Sequence, residues 1–137
     1  MARLQGKGGL TGLLPMDSLV PQLPEGTVAA EVEGFKSGEI WLEVPTSAGR
    51  ALIVCDAFMN YHRPLTGLMG FIVRNLGGIP QGLSSPRTIG LLHMKNREAY
   101  RAWARQTIER AKPSLLVPTH GAPLADASLS AQLLKFI

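Results

Sequence analysis

Cysteine is nearly absent. Cys55 stands alone among 137 residues, so no intrachain disulfide and no multi-cysteine metal knuckle can form, which fits a reducing compartment. Aromatic residues make up only 6% of the chain, and no aromatic-and-basic module of the recognised nucleic-acid-binding kinds occurs, so nucleic acid is not an expected partner. No apolar run approaches the ~20 residues of a membrane span. Behind Arg3 and Lys7, the run Gly8-Gly9-Leu10-Thr11-Gly12-Leu13-Leu14-Pro15 is too short and too rich in glycine for a secretory leader. These absences predict a cytoplasmic protein without a membrane partner. Two motifs are also missing. Residues 6–12 have the composition of a phosphate loop but not its G-x-x-x-x-G-K-[ST] order, and Ser84-Ser85 lacks the G-x-S-x-G frame of a nucleophile elbow.

What is present predicts a folded chain. Apolar residues make up 45% and charged residues 18%, far from the polar, highly charged composition of disordered segments. The length suits one domain over residues 1–137. Fourteen basic residues, spread over several segments, stand against ten acidic ones and give +4, a balance that selects no particular acidic partner.

Residues 1–26 form an irregular leading segment rich in glycine and proline. Thr27 to Val32 reads as a strand, Gly34 to Gly38 as a turn, and Glu39 to Val44 as a second strand ended by Pro45. In that strand Ile40, Leu42 and Val44 share one face while Glu39, Trp41 and Glu43 share the other, the period-two pattern of a half-buried strand. After the turn at Ser47-Ala48-Gly49, Ala51 to Cys55 is apolar throughout, which predicts a central strand covered on both faces, with Cys55 in the core. Leu65, Leu68, Met69, Ile72, Val73 and Leu76 then recur at helical spacing before Gly77-Gly78, and a Gly/Pro/Ser-rich loop covers 79–87. The clearest helix follows Asn96 as N-cap, with Tyr100, Trp103, Ile108 and Ala111 inward and Arg97, Arg101 and Arg105 on a solvated face. Pro113 stops it. Leu115-Leu116-Val117 is a short buried strand, and a C-terminal helix closes the chain over 124–137.

Asp56 stands at the end of the buried strand, where open α/β sheets commonly place functional groups, although Asp there can equally cap a loop. His120 follows the last strand in Pro118-Thr119-His120-Gly121-Ala122-Pro123; it is either a site residue or an ordinary hydrogen-bonded loop histidine. Over 27–123, the helix, proline, short apolar strand and Pro-Thr-His-Gly-Ala-Pro sequence resemble the P-G-H-G-x-P ending of the metallo-β-lactamase superfamily, and Ala51 to Asp56 resembles its buried strand ending in aspartate.

The resemblance implies an α/β fold, half of an αββα sandwich with a mixed sheet flanked by helices. It also implies metal-ligand roles, and with them catalytic ones, for Asp56 and His120. The family's H-x-H-x-D-H signature is absent, and Gly34-Phe35-Lys36-Ser37-Gly38 carries phenylalanine where the family's G-H-x-x-G turn has histidine. The histidines stand at 62, 93 and 120. His62 is a candidate third ligand; His93 is harder to place. Two readings follow. One is a domain with an incomplete site, non-catalytic or holding a single zinc, iron or manganese. The other is a metal-dependent hydrolase of an ester, lactone, thioester or phosphoester, completed by another subunit or a missing N-terminal half. Either way half a sandwich leaves an apolar sheet face that a homodimer, or another oligomer, would cover.

Overall fold

The computed structural model describes residues 20–36, 38–63, 66–75, 79–86 and 93–137. Most of the leading segment, the phosphate-loop-like run, Leu65, Leu76 and Gly77-Gly78 lie outside them. The fold is α/β. A mixed sheet of order β1-β2-β3-β6-β7 is built from Val28–Glu31, Ile40–Thr46, Gly49–Val54, Leu115–Pro118 and Leu124–Ala125. A separate ribbon pairs β4 (Met59–Tyr61) with β5 (Gly82–Ser84) antiparallel. Three α-helices complete the described residues: α1 (Gly67–Asn75), α2 (Arg97–Ala111) and α3 (Leu129–Leu134). A short 3-10 turn at Val20–Gln22 precedes β1.

β3 lies at the sheet's centre, antiparallel to β2 and parallel to β6. The β2 strand continues through Pro45, opposite Arg50, to Thr46; its end is set by the hairpin, where Thr46 Oγ1 donates to the Gly49 carbonyl at 2.8 Å. Gly49 has φ 117°, and a Cβ there would stand 2.6 Å from Ser114 Oγ. Glycine is required at that corner.

The two faces of the sheet differ sharply. Trp41, Glu43, Leu52, Val54 and Leu116 are each at most 3% exposed; Trp41, Leu52, Val54 and Leu116 pack with Tyr100, Ala104 and Ile108 of α2 and Leu129 and Leu133 of α3 in one hydrophobic cluster that also draws in Phe58. Opposite them, Ile40, Leu42, Val44, Ile53, Leu115 and Val117 are only half-buried and are missing from that cluster. Register places Leu42 beside Ile53 and Ile53 beside Val117, so these side chains form a continuous apolar surface. The sheet therefore buries the polar-looking face of β2. Glu39, Trp41 and Glu43 each find a partner there: the turn at Asp56-Ala57 beyond β3, an edge contact with Trp103 at 5.0 Å, and an ion pair with Arg110.

The long helix is α2. Asn96 Oδ1 accepts from Glu98 N and Ala99 N, both at 3.1 Å, and Lys112 closes the helix in the left-handed region at φ 45°. Arg97, Arg101 and Arg105 are exposed. The C-terminal helix begins at Leu129, later than the sequence predicts, because Leu124–Ala125 first pairs with β6 and Asp126 then turns the chain. Cys55 is exposed, not core packing. The strand ends at Val54, so side-chain alternation does not extend to residue 55. On α1, Leu68 and Ile72 of the predicted stripe are exposed, as is Phe71, Leu68 to 78% and Phe71 to 57%.

Candidate functional site

Strands β3 and β6 run parallel, with Val54 opposite Pro118. Asp56 and His120 each lie two residues beyond those partners, so parallel pairing alone delivers both to the same carboxyl-end edge of the sheet. Their side chains meet: His120 Nε2 is 3.2 Å from Asp56 Oδ1. They are 47% and 44% exposed respectively, so the pair is reachable from solvent, and its contribution to stability is small, about 0–1 kcal/mol.

Backbone hydrogen bonds clamp the histidine loop. Thr119 N donates to the Val54 carbonyl at 3.0 Å, Asn60 N donates to the His120 carbonyl at 3.1 Å, and Ala122 N donates to the Asn60 carbonyl at 2.8 Å. Asn60, itself 3% exposed, also donates from Nδ2 to the Ala122 carbonyl at 2.9 Å. The close passage explains Gly121. At φ 102° a Cβ would sit 2.0 Å from the Asn60 carbonyl oxygen, so no other residue fits between His120 and Ala122 without moving β4.

The aspartate is held from below by Glu39, which is 5% exposed. Its Oε1 accepts from Trp41 Nε1 and from Ala57 N, both at 3.0 Å, and its Oε2 accepts from Asp56 N at 3.2 Å. Burial raises the Glu39 pKa; these three donors pull it back only in part, and the Asp56 charge adds to the rise. Tyr100, 3% exposed, is buried nearby. Its phenol is raised by burial and by the Glu39 charge, and its hydroxyl has no hydrogen-bond partner among the described residues.

The other candidates lie apart. His62 is exposed, and its carbonyl accepts from Gln81 Nε2 at 2.8 Å. His93 is half-buried, with its carbonyl accepting from Lys36 N. Phe35 packs edge-on against Tyr100 at 5.3 Å, so the turn over 34–38 serves the N-terminus of α2. Ser84 is buried with an unpartnered hydroxyl.

As a metal site the arrangement fits in type and spacing but is short in number. An imidazole nitrogen and a carboxylate oxygen are both good zinc donors, and bonds of about 2.0–2.1 Å at tetrahedral angles separate two donors by roughly 3.3 Å. The observed 3.2 Å is close to that separation and is also the length of an ordinary N–H···O contact. Among the described residues, no three His, Cys, Asp or Glu side chains converge on a point that could hold an ion. Sequence reasoning passed over Glu39, Asn60 and Tyr100. Glu39 could have been noticed as a carboxylate that starts the strand face it shares with Trp41 and Glu43. Comparison with known proteins yields nothing further: no family model matches the chain, and neither do curated proteins or solved structures.

Proposed function

We propose that this chain is a metallo-β-lactamase-like domain, half of an αββα sandwich, that keeps a two-donor remnant of the metal site and does not hydrolyse substrates on its own. One observation carries the reading: Asp56 Oδ1 and His120 Nε2 stand 3.2 Å apart at the carboxyl edge of two parallel strands. They would hold one zinc, iron or manganese ion, and Glu39 would fix the backbone that presents Asp56. When bound, such an ion supplies Lewis acidity and lowers the pKa of coordinated water. Two protein donors hold it weakly compared with the three or four of established zinc sites.

The half-buried face of the sheet favours a second reading. A partner or a second copy packed on Ile40, Leu42 and Ile53 would rebuild a sandwich and could supply further ligands, giving a hydrolase of an ester, lactone, thioester or phosphoester. Zinc titration followed by calorimetry tests both. Weak binding of about one ion per chain, lost in Asp56→Ala/His120→Ala and without zinc-dependent ester cleavage, supports the first reading. Tight binding with zinc-dependent cleavage replaces it with the second, and no binding at millimolar zinc removes the metal site altogether.

A further inference from the structure

The chain between β3 and α2 is unlike the rest. No Asp or Glu occurs from Ala57 to Asn96, while Arg63, Arg74, Arg87 and Lys95 do. Fourteen Lys and Arg less these four leave ten, matched by the ten Asp and Glu elsewhere, so the whole net charge of +4 resides in this stretch.

The same stretch carries α1, which projects its apolar side into solvent. Among the described residues, five large hydrophobic side chains are exposed, and three of them belong to this nine-residue helix: Leu68 at 78%, Phe71 at 57% and Ile72 at 39%. Their spacing of i, i+3 and i+4 puts them on one side of the helix. Gly70 is buried, so the side of the helix that carries it faces the body of the protein, while Leu68, Phe71 and Ile72 stand in solvent. Asn75 Nδ2 donates to the Phe71 carbonyl at 2.8 Å, supporting the end of the helix. Arg63 and Lys95, within the acid-free stretch, are also exposed.

We propose that α1 is a membrane-surface element, in which Leu68, Phe71 and Ile72 enter the headgroup boundary of an anionic bilayer and exposed Arg63 and Lys95 add attraction to its acidic headgroups. Such contacts need apolar side chains that protrude and accessible cations, and they need no complementary pocket. A protein partner is the poorer match. Three side chains on a convex helix present far less than the roughly 800 Å² per partner of a stable protein interface. The proposal departs from the sequence expectation of no membrane partner, which rested on apolar run length and so addressed spanning segments alone.

Co-sedimentation of the full chain with vesicles provides the test. The protein should pellet with vesicles of equal parts phosphatidylcholine and phosphatidylserine, stay in solution with phosphatidylcholine alone, and be released by high salt. Leu68→Ser/Phe71→Ser should lower the bound fraction on the order of tenfold or more, and Arg63→Glu/Lys95→Glu should remove the preference for acidic vesicles. All four positions are exposed, and unchanged circular dichroism would show that the variants fold. Absence of the wild-type chain from the acidic pellet would overturn the proposal. So would equal pelleting by Leu68→Ser/Phe71→Ser. A fall in solution mass in that variant, with vesicle binding unaltered, would assign the helix to a protein contact instead.

Discussion

Glu39 shows how one buried carboxylate can organise a site it does not itself present. Three N–H groups converge on it, two of them from the turn that carries Asp56 and Ala57. Removing the acceptor strands buried donors at about 1–3 kcal/mol each, while relief from burying a carboxyl group returns part of that. Glu39→Ala should therefore lose about 2–3 kcal/mol in urea unfolding, and zinc affinity at Asp56 should fall with it. A variant as stable as the wild type would show that the turn holds itself. Asp56 and His120 stood out in the sequence because one ends a long apolar run and the other follows a short apolar strand within three residues. Their contact was not legible, because it depends on β3 and β6 pairing across sixty intervening residues. Cys55 misled for a local reason: its apolar neighbours suggested a strand one residue longer than the chain forms.

At the scale of elements, β2 follows its predicted period and turns the unexpected side to the core. Periodicity reports that two faces differ; it does not report which one finds cover. In β2 the acidic face goes inward because Glu39 and Glu43 acquire donors from distant residues, the 56–57 turn and Arg110. The ribbon of β4 and β5 carries no signal at all, since strands of three residues are too short to display a period and β5 lies within the Gly/Pro/Ser-rich loop. A helix with a local cap, α2 behind Asn96, was easier to read; α3 was not, and the turn before it offers a check. Asp126 accepts from Ser128 N at 2.7 Å, from Ser128 Oγ at 2.8 Å and from Gln132 Nε2 at 2.8 Å, and these bonds lower its pKa below the ordinary 3.8. A lowered folded-state pKa gives stability that is present above the unfolded value and is lost as pH falls through the folded one. Urea midpoints should accordingly decline as pH falls below about 4, and Asp126→Asn should flatten that part of the curve. An acid branch identical in both proteins would place the relevant protonation elsewhere.

For the whole molecule, the unequal faces of the sheet matter most. One is sealed by α2 and α3, with Leu52, Leu116, Leu129 and Leu133 fully buried. The other keeps Ile40, Leu42, Val44, Ile53, Leu115 and Val117 half in water. A contiguous apolar patch of this kind, central to a sheet rather than scattered over a surface, is uncommon on a soluble monomer. A two-fold axis through it would match the patch to itself without requiring a second gene product. The proposed dimer should appear as twice the 14.7 kDa chain mass in sedimentation velocity. Leu42→Lys/Val117→Lys should return it to a monomer that still folds, because both side chains already lie partly in solvent and lysine can extend its ammonium outward. A wild-type chain that stays monomeric at every accessible concentration would rule out self-pairing on this face. The patch would then have to be covered by a different polypeptide, and any missing metal ligands would have to be sought there.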